Sequence, residues 1–351
     1  MMKINILLII TCITFFTACE KEINEQSLQP IGCNEDLSEN AFKITIQDEF
    51  AELPGQVSVF FKVDDNSGNP VANLNSSDFS IFEKGRNDNC FKNISAFEAN
   101  ARISPNKQVF NYSTMLVLDL SGSVLYTSLN ELKNATKEFI RNIIPRDGKD
   151  SFEVGIWWFD GEDKLHLLQD FTDNTAALIS KIDGINKNVS KDPSTDLYGA
   201  VLKSADIVNQ NLAKQLNNDI IAASSVVVFT DGTDQAARYG KDAAINAVKK
   251  LSGNIKFYTI GLGNEIDVPV LKQIGKAGSI IAADNEDLEE TFKQTSELVF
   301  DEANSYYFFE YCSPKRDGSG VNELVLQVSD SGKKGYVRTE FDATGFKSGC
   351  N

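Results

Sequence analysis

The chain has 351 residues, with 50 acidic against 34 basic side chains and a formal net charge of −16. Its hydrophobic fraction of 42% and charged fraction of 24% are those of a folded globular protein, and the length suffices for two domains of about 100–200 residues each. A net acid of this size argues against nucleic-acid backbone binding as the main function, although it leaves room for a local basic patch.

Residues 1–18 predict a signal segment rather than part of the fold. "MMKINILLIITCITFF" carries one lysine and then an apolar stretch too short to span a bilayer comfortably, followed by "TAC". "FTAC" resembles the lipobox of bacterial lipoproteins, and that resemblance implies cleavage before Cys19 and acylation of its sulfur. Several acyl chains hold a protein stably on a membrane where a single chain is marginal. The expected location is the cell envelope, as an outer-membrane lipoprotein. The acidic start "CEKEINE" resembles surface-export signals of some bacterial lipoproteins, and the side of the membrane stays open. Residues 19–40 are polar and acidic with no apolar period, which predicts a tether.

Residues 41–111 read as β structure. "QVSVFFKVDD" and "DFSIFEKG" alternate and end in turn residues, and "CFKNISAFEANARI" is a further extended run. The pattern returns over 304–351 in "SYYFFEYCSP", "VNELVLQVSD" and "GYVRTEFDA". Each group is thin for a core of its own. Together they give about seven strands, enough for an immunoglobulin-like sandwich split by an insertion; two small β appendages are the alternative. Tyr306, Tyr307, Phe308 and Phe309 are expected in the sandwich core.

Residues 112–303 alternate strand and helix. "STMLVLD" is apolar throughout, as in a parallel strand covered on both faces. Leu125, Leu129, Leu132, Thr136, Phe139 and Ile143 form a helical stripe. "SFEVGIWWFD" and "KLHLLQDF" predict strands, "NTAALISKIDGI" a helix, and Leu197 to about Leu216 a longer helix. "SSVVVFTD", "IKFYTIGLG" and "SIIAAD" are further strands, separated by "GKDAAINAVKKL" and "VPVLKQIGKAG" and closed by the helix "LEETFKQTSELVFDEA". This order predicts an α/β, doubly wound, mostly parallel sheet inserted into the split β-sandwich.

Ligands of open α/β sheets bind beyond the carboxyl ends of the strands, near the switch in strand order. Two apolar strands end in acids there, "LVLDLSGS" at Asp119 and "VVVFTDGTD" at Asp231, and "DPSTDLYGAV" with Thr195 lies between them in sequence. Asp119, Ser121 and Ser123 in an Asp-x-Ser-x-Ser pattern, Thr195 before a helix, and Asp231 followed by Gly232 resemble the metal-ion-dependent adhesion site (MIDAS) of von Willebrand factor type A (vWA) domains. Pro193 stands where many members have glycine.

Hard divalent cations take oxygen ligands, and Mg²⁺ wants about six of them, usually including waters. Hydroxyls of Ser121, Ser123 and Thr195 are neutral donors, and Asp119 and Asp231 supply charge. The expected ion is Mg²⁺, with Ca²⁺ or Mn²⁺ as alternatives. The resemblance implies that an acidic side chain of a protein partner completes the shell, so the expected function is adhesion or envelope-complex assembly without catalysis. A structural envelope module stabilised by the same ion is the second reading. A haloacid dehalogenase-type phosphatase needs a second acid where Ser121 stands. No GxSxG, P-loop or GxGxxG is present.

Removing Cys12 with the signal and Cys19 by acylation leaves Cys33, Cys90, Cys312 and Cys350. An even number in an oxidising compartment predicts two disulfides with three possible connectivities; Cys312–Cys350 with Cys33–Cys90 is preferred. With one histidine and no CxxC, zinc is not expected, and His166 is expected on a strand surface away from the switch point. Trp157 and Trp158 are adjacent on a strand and so face opposite ways. Asp196 and Asp234 are expected to be solvated loop acids near the cation.

Overall fold

The structure, a computed structural model, describes residues 40–95, 102–103, 110–144, 152–217, 220–315 and 320–347. The signal segment, Cys19, the tether up to residue 39, Cys33 and Cys350 lie outside the described residues.

A six-stranded sheet forms the centre. Its strands are β6 (Phe110–Asp119), β7 (Phe152–Phe159), β8 (His166–Thr172), β9 (Ile221–Thr230), β10 (Ile255–Leu262) and β11 (Gly278–Ala282), in the spatial order β11-β10-β9-β6-β7-β8. All neighbours pair in parallel except β8, which runs antiparallel along the β7 edge. The chain leaves β6 toward β7 on one side and later returns to β9 on the other, so the carboxyl end of β6 is the switch point.

The apolar strands are explained by helices on both faces. Successive residues of β6 feed opposite cores: Leu116 and Leu118 join one cluster, Met115 and Val117 the other. Trp157 and Trp158 divide the same way, and both are buried. The predicted stripe from Leu125 to Ile143 is buried as expected, but two helices share it, α1 (Gly122–Thr127) and α2 (Leu129–Ile143), with Ser128 non-helical between them. Helices α3 (Thr175–Asp183), α4 (Leu197–Leu216), α5 (Lys241–Lys249), α6 (Val268–Ile274) and α7 (Leu288–Ala303) complete the layers.

Both flanks contribute to two four-stranded sheets. One has the order β1 (Phe42–Glu52), β2 (Gln56–Asp65), β12 (Tyr306–Cys312) and β5 (Arg102–Ile103). The other runs β14 (Lys333–Asp342), β13 (Val321–Asp330), β3 (Phe79–Lys84) and β4 (Lys92–Ile94). Pairing of β2 with β12 and of β3 with β13 joins segments more than 200 residues apart, with Phe60 opposite Phe308 and Phe82 opposite Val325. The extended run expected after Phe91 is represented among the described residues by the short strands β4 and β5.

One expectation about these strands needs correction. Tyr307 and Phe309 enter the core shared by the two small sheets, together with Val59, Phe61, Ile81 and Leu326. Tyr306 and Phe308 instead join Phe60 in the core of the central sheet. The cause is the strand period of two: β12 is covered on both faces, so its four consecutive aromatics serve two cores. Phe60 stacks on Tyr306 at 5.7 Å and meets Phe110 at 5.3 Å. Beneath them, buried Lys62 pairs with Glu302 of α7 at 3.1 Å and with Asp64. Cys90 and Cys312 are each disulfide-bonded, and the partners of the expected pairings, Cys33 and Cys350, lie outside the described residues.

Candidate metal centre

Asp119 is the last residue of β6 and is fully buried. The strand stops because the chain turns: the Ser121 amide donates to Asp119 Oδ1 at 2.9 Å, and Ser121 becomes the N-cap of α1. That turn lifts two hydroxyls over the end of the sheet, with Ser121 Oγ 3.3 Å from Ser123 Oγ. Ser123 is exposed and donates to Asp231 Oδ1 at 2.9 Å, just beyond β9. Asp119, Ser121, Ser123 and Asp231 therefore form one continuous chain of oxygens.

Thr195 reaches the group differently. It is buried in the loop before α4, and its carbonyl accepts from the amides of Gln235 and Ala236 at 2.8 and 3.0 Å. Its hydroxyl faces Gly232: a Cβ built on that glycine would lie 3.9 Å from Thr195 Oγ1. Pro193 is accommodated by Gly122. The Gly122 amide donates to the Pro193 carbonyl at 2.9 Å, and a Cβ at Gly122 would come within 2.9 Å of Pro193 Cβ. Only glycine permits this close approach of the two loops.

Thr230 is a residue that the sequence reading missed. Its hydroxyl donates to Asp119 Oδ2 at 2.6 Å and fixes the carboxylate from the β9 side. The signal is the β6/β9 register, in which Leu118 faces Phe229 and Asp119 therefore meets Thr230. No sequence pattern encodes that register.

Asp196 and Asp234 are not solvated loop acids. Asp196 is buried and pairs with Lys203 at 3.6 Å, and burial raises its pKa. Asp234 accepts from the Tyr198 amide at 3.1 Å at the start of α4 and from the Ala237 amide at 2.9 Å. Polar loops pressed against a sheet edge must satisfy their amides, and the Asp234 carboxylate does so, whereas buried Asp196 Oδ1 has no hydrogen-bond partner among the described residues. His166 is likewise not a surface strand residue. Its ring stacks on Trp158 at 3.9 Å and 7°, its side chain is 15% exposed, and burial lowers its pKa.

The electrostatics of the centre are unbalanced. Burial pushes Asp119 up to about 7, with the nearby Asp231 adding to the rise and hydrogen bonds from Thr230 and Ser121 opposing it. Asp231 is also raised by burial, against the Ser123 hydrogen bond. Among the described residues, neither carboxylate forms an ion pair with a basic side chain. Buried Asp119 and half-buried Asp231, with neutral hydroxyls between them, are all oxygen donors and fit a hard divalent cation.

A family model for the von Willebrand factor type A domain matches residues 115–294. That is half of the chain, and the chain belongs to this family, with its Rossmann-like α/β fold and mixed, mostly parallel sheet. Among solved structures it is similar to BatB from Bacteroides thetaiotaomicron, at 16% identity over 55% of this chain and 99% of that one, with a TM-score of 0.43. A von Willebrand factor type A protein from Catenulispora acidiphila aligns at 13% identity over 87% and 73%, with a TM-score of 0.46. The vWF domain of the type V pili tip protein Mfa5 from Porphyromonas gingivalis aligns at 14% over 54% and 95%, with a TM-score of 0.42. No curated protein matches the chain. Among the described residues, no helix is long and apolar enough to cross a membrane.

Proposed function

We propose that this protein is an exported, lipid-anchored binding module whose vWA domain takes a protein ligand through a divalent cation, in adhesion or in assembly of an envelope complex. Cys19 carries the lipid, and the split β unit, read as an immunoglobulin-like sandwich, carries the vWA domain. Asp119, Ser121, Ser123, Thr195 and Asp231 hold Mg²⁺, or Ca²⁺ or Mn²⁺ in its place. The bound ion supplies an electrophilic centre for an acidic side chain of the partner. The chain's own residues hold and orient it: Thr230 and the Ser121 amide fix Asp119, and Ser123 ties Asp231 to the same turn. No catalysis is required.

One observation carries the reading, namely buried Asp119 and half-buried Asp231 at neighbouring strand ends, linked through the Ser121–Ser123 turn and lacking a basic partner among the described residues. The test is capture of envelope proteins by the full chain with Mg²⁺ and with EDTA, and by Asp119→Ala. A partner retained with Mg²⁺ and lost in the other two conditions supports it. Capture indifferent to both, with the fold intact, overturns it. Lower thermal stability in EDTA without any lost partner favours the purely structural role.

A further inference from the structure

A second group of donors lies at the same sheet edge, built from the loop that joins β7 to β8. Asp160 follows β7 directly and is fully buried, Glu162 is two residues on, and His166 begins β8. One ligand atom from each lies within 4.8 Å of the others. His166 Nε2 stands 3.3 Å from Glu162 Oε2 and 3.9 Å from Asp160 Oδ1, yet it is buried and forms a hydrogen bond with neither. A buried ring nitrogen aimed between two carboxylates without bonding to either is an exception that calls for a cause.

We infer that Asp160, Glu162 and His166 form a second metal site, selective for a borderline transition ion of the Zn²⁺ type and distinct from the Asp119 centre. Zinc binds imidazole and carboxylate at about 2.0–2.2 Å, so two of its tetrahedral ligands lie roughly 3.4 Å apart. The two histidine–carboxylate separations are close to that spacing, and half-exposed Glu162 can rotate to close the third. An imidazole nitrogen favours Zn²⁺ over Mg²⁺, which takes oxygens. Three protein ligands beside an open, solvent-facing Glu162 leave a fourth position for water.

The site is held rigid by its surroundings. Asp160 Oδ1 accepts from the Glu162 amide at 2.9 Å. Its Oδ2 accepts from Ser190 Oγ at 2.7 Å and from the amides of Lys191 and Asp192 at 3.2 and 3.4 Å. The Trp158 indole fixes the imidazole plane. Gly161 between the two acids leaves no room for a side chain, because a Cβ there would lie 2.0 Å from Ser194 Oγ and 2.3 Å from Asp192 Oδ1. The loop that bonds Asp160 also carries Thr195, and the Asp196 amide donates to the Asp160 carbonyl at 2.9 Å. The two centres thus stand on opposite ends of one loop.

The experiment is competition for Zn²⁺ between the full chain and a chromophoric chelator, with Mg²⁺ in excess to hold the Asp119 centre. The wild type is expected to take up one Mg²⁺-resistant equivalent, with a change in Trp emission from the stacked indole. Loss of a partner that only orients a ligand costs about 10–100-fold in affinity, so removal of a direct ligand costs at least about tenfold. His166→Gln and the more exposed Glu162→Gln should each weaken binding by that much, whereas Asp119→Ala should retain it. Circular dichroism checks that each variant is folded. Absence of a Mg²⁺-resistant equivalent overturns the inference, as does equal affinity in folded His166→Gln. Loss in Asp119→Ala with retention in His166→Gln would assign the ion to the first centre and overturn it too.

Discussion

Ser123 donates to Asp231 at 2.9 Å across 108 residues of chain, closing the gap between the turn after β6 and the end of β9. The bond joins the two acidic strand ends through one exposed hydroxyl, so the geometry of the centre depends on β6 and β9 being adjacent in the sheet. Because β6 and β9 are buried neighbours in the middle of the sheet, this part of the centre is preformed by the core.

Asp119→Ala should separate the centre from the fold. The alanine removes a buried acid whose burial is unfavourable, so thermal stability in EDTA should not fall by more than the loss of the Thr230 and Ser121 hydrogen bonds, about 1 kcal/mol each. An ion at 100 times its Kd stabilises the wild type by about 2.7 kcal/mol, and the variant should lack that increment entirely. Thermal melts with and without Mg²⁺ check this; an equal Mg²⁺ shift in both proteins would place the ion elsewhere.

Gly122→Ala tests whether the Pro193 loop must touch the serine turn. The new methyl meets Pro193 Cβ at 2.9 Å, so one loop has to move. Overpacking of this kind costs about 1–3 kcal/mol, and the displacement falls between Ser121 and Ser123. Urea denaturation should show the loss, and Mg²⁺ titration should show weaker binding than in the wild type. Unchanged Mg²⁺ affinity would mean that the loop position is irrelevant to the centre.

The fold and the centre were legible to different depths. The apolar strand ending at Asp119, the stripe from Leu125 to Ile143 and the span Leu197–Leu216 follow local periods, and local periods survive folding. Asp119, Ser121, Ser123 and Asp231 were readable because strand ends and turn residues mark themselves. Thr230 and the roles of Tyr306 and Phe308 were not, since they depend on register and on which sheet covers which face. The place of His166 depends on topology in the same way: β8 folds back antiparallel on β7, so the start of β8 lies at the carboxyl end of the parallel strands. One strand direction decided whether the only histidine was remote from the switch point or beside it.

Phe60→Ala should weaken both parts of the molecule at once. Phe60 is 1% exposed on β2, yet it packs into the core of the central sheet beside Tyr306 and Phe110. Truncating a buried phenylalanine costs about 3–5 kcal/mol. Both tryptophans lie on β7, so their emission reports the central sheet alone, whereas far-ultraviolet dichroism reports all sheets. The two probes should shift together to lower urea. A tryptophan transition that stays at the wild-type midpoint would show that the β unit and the central sheet unfold independently.

Glu83 gives the protein a pH dependence that originates in the β unit rather than in the metal centre. It is fully buried on β3 and accepts from Ser313 Oγ at 2.7 Å, Asn322 Nδ2 at 3.0 Å and the Tyr311 hydroxyl at 3.3 Å, joining the two small sheets. Burial raises its pKa above the ordinary 4.5, and the three hydrogen bonds and Lys315 oppose the rise without cancelling it. Below that ordinary value both folded and unfolded chains hold the proton. Between it and the folded value the unfolded chain has released the proton while the folded chain keeps it, so stability falls as pH rises through this window and is flat above it. Glu83→Gln keeps an uncharged acceptor in place, and its stability should lack this component. The wild-type minus variant difference in unfolding free energy, measured from pH 4 upward, should therefore decline and then level. A difference that rises with pH would mean that the hydrogen bonds outweigh burial and that Glu83 is held as a carboxylate.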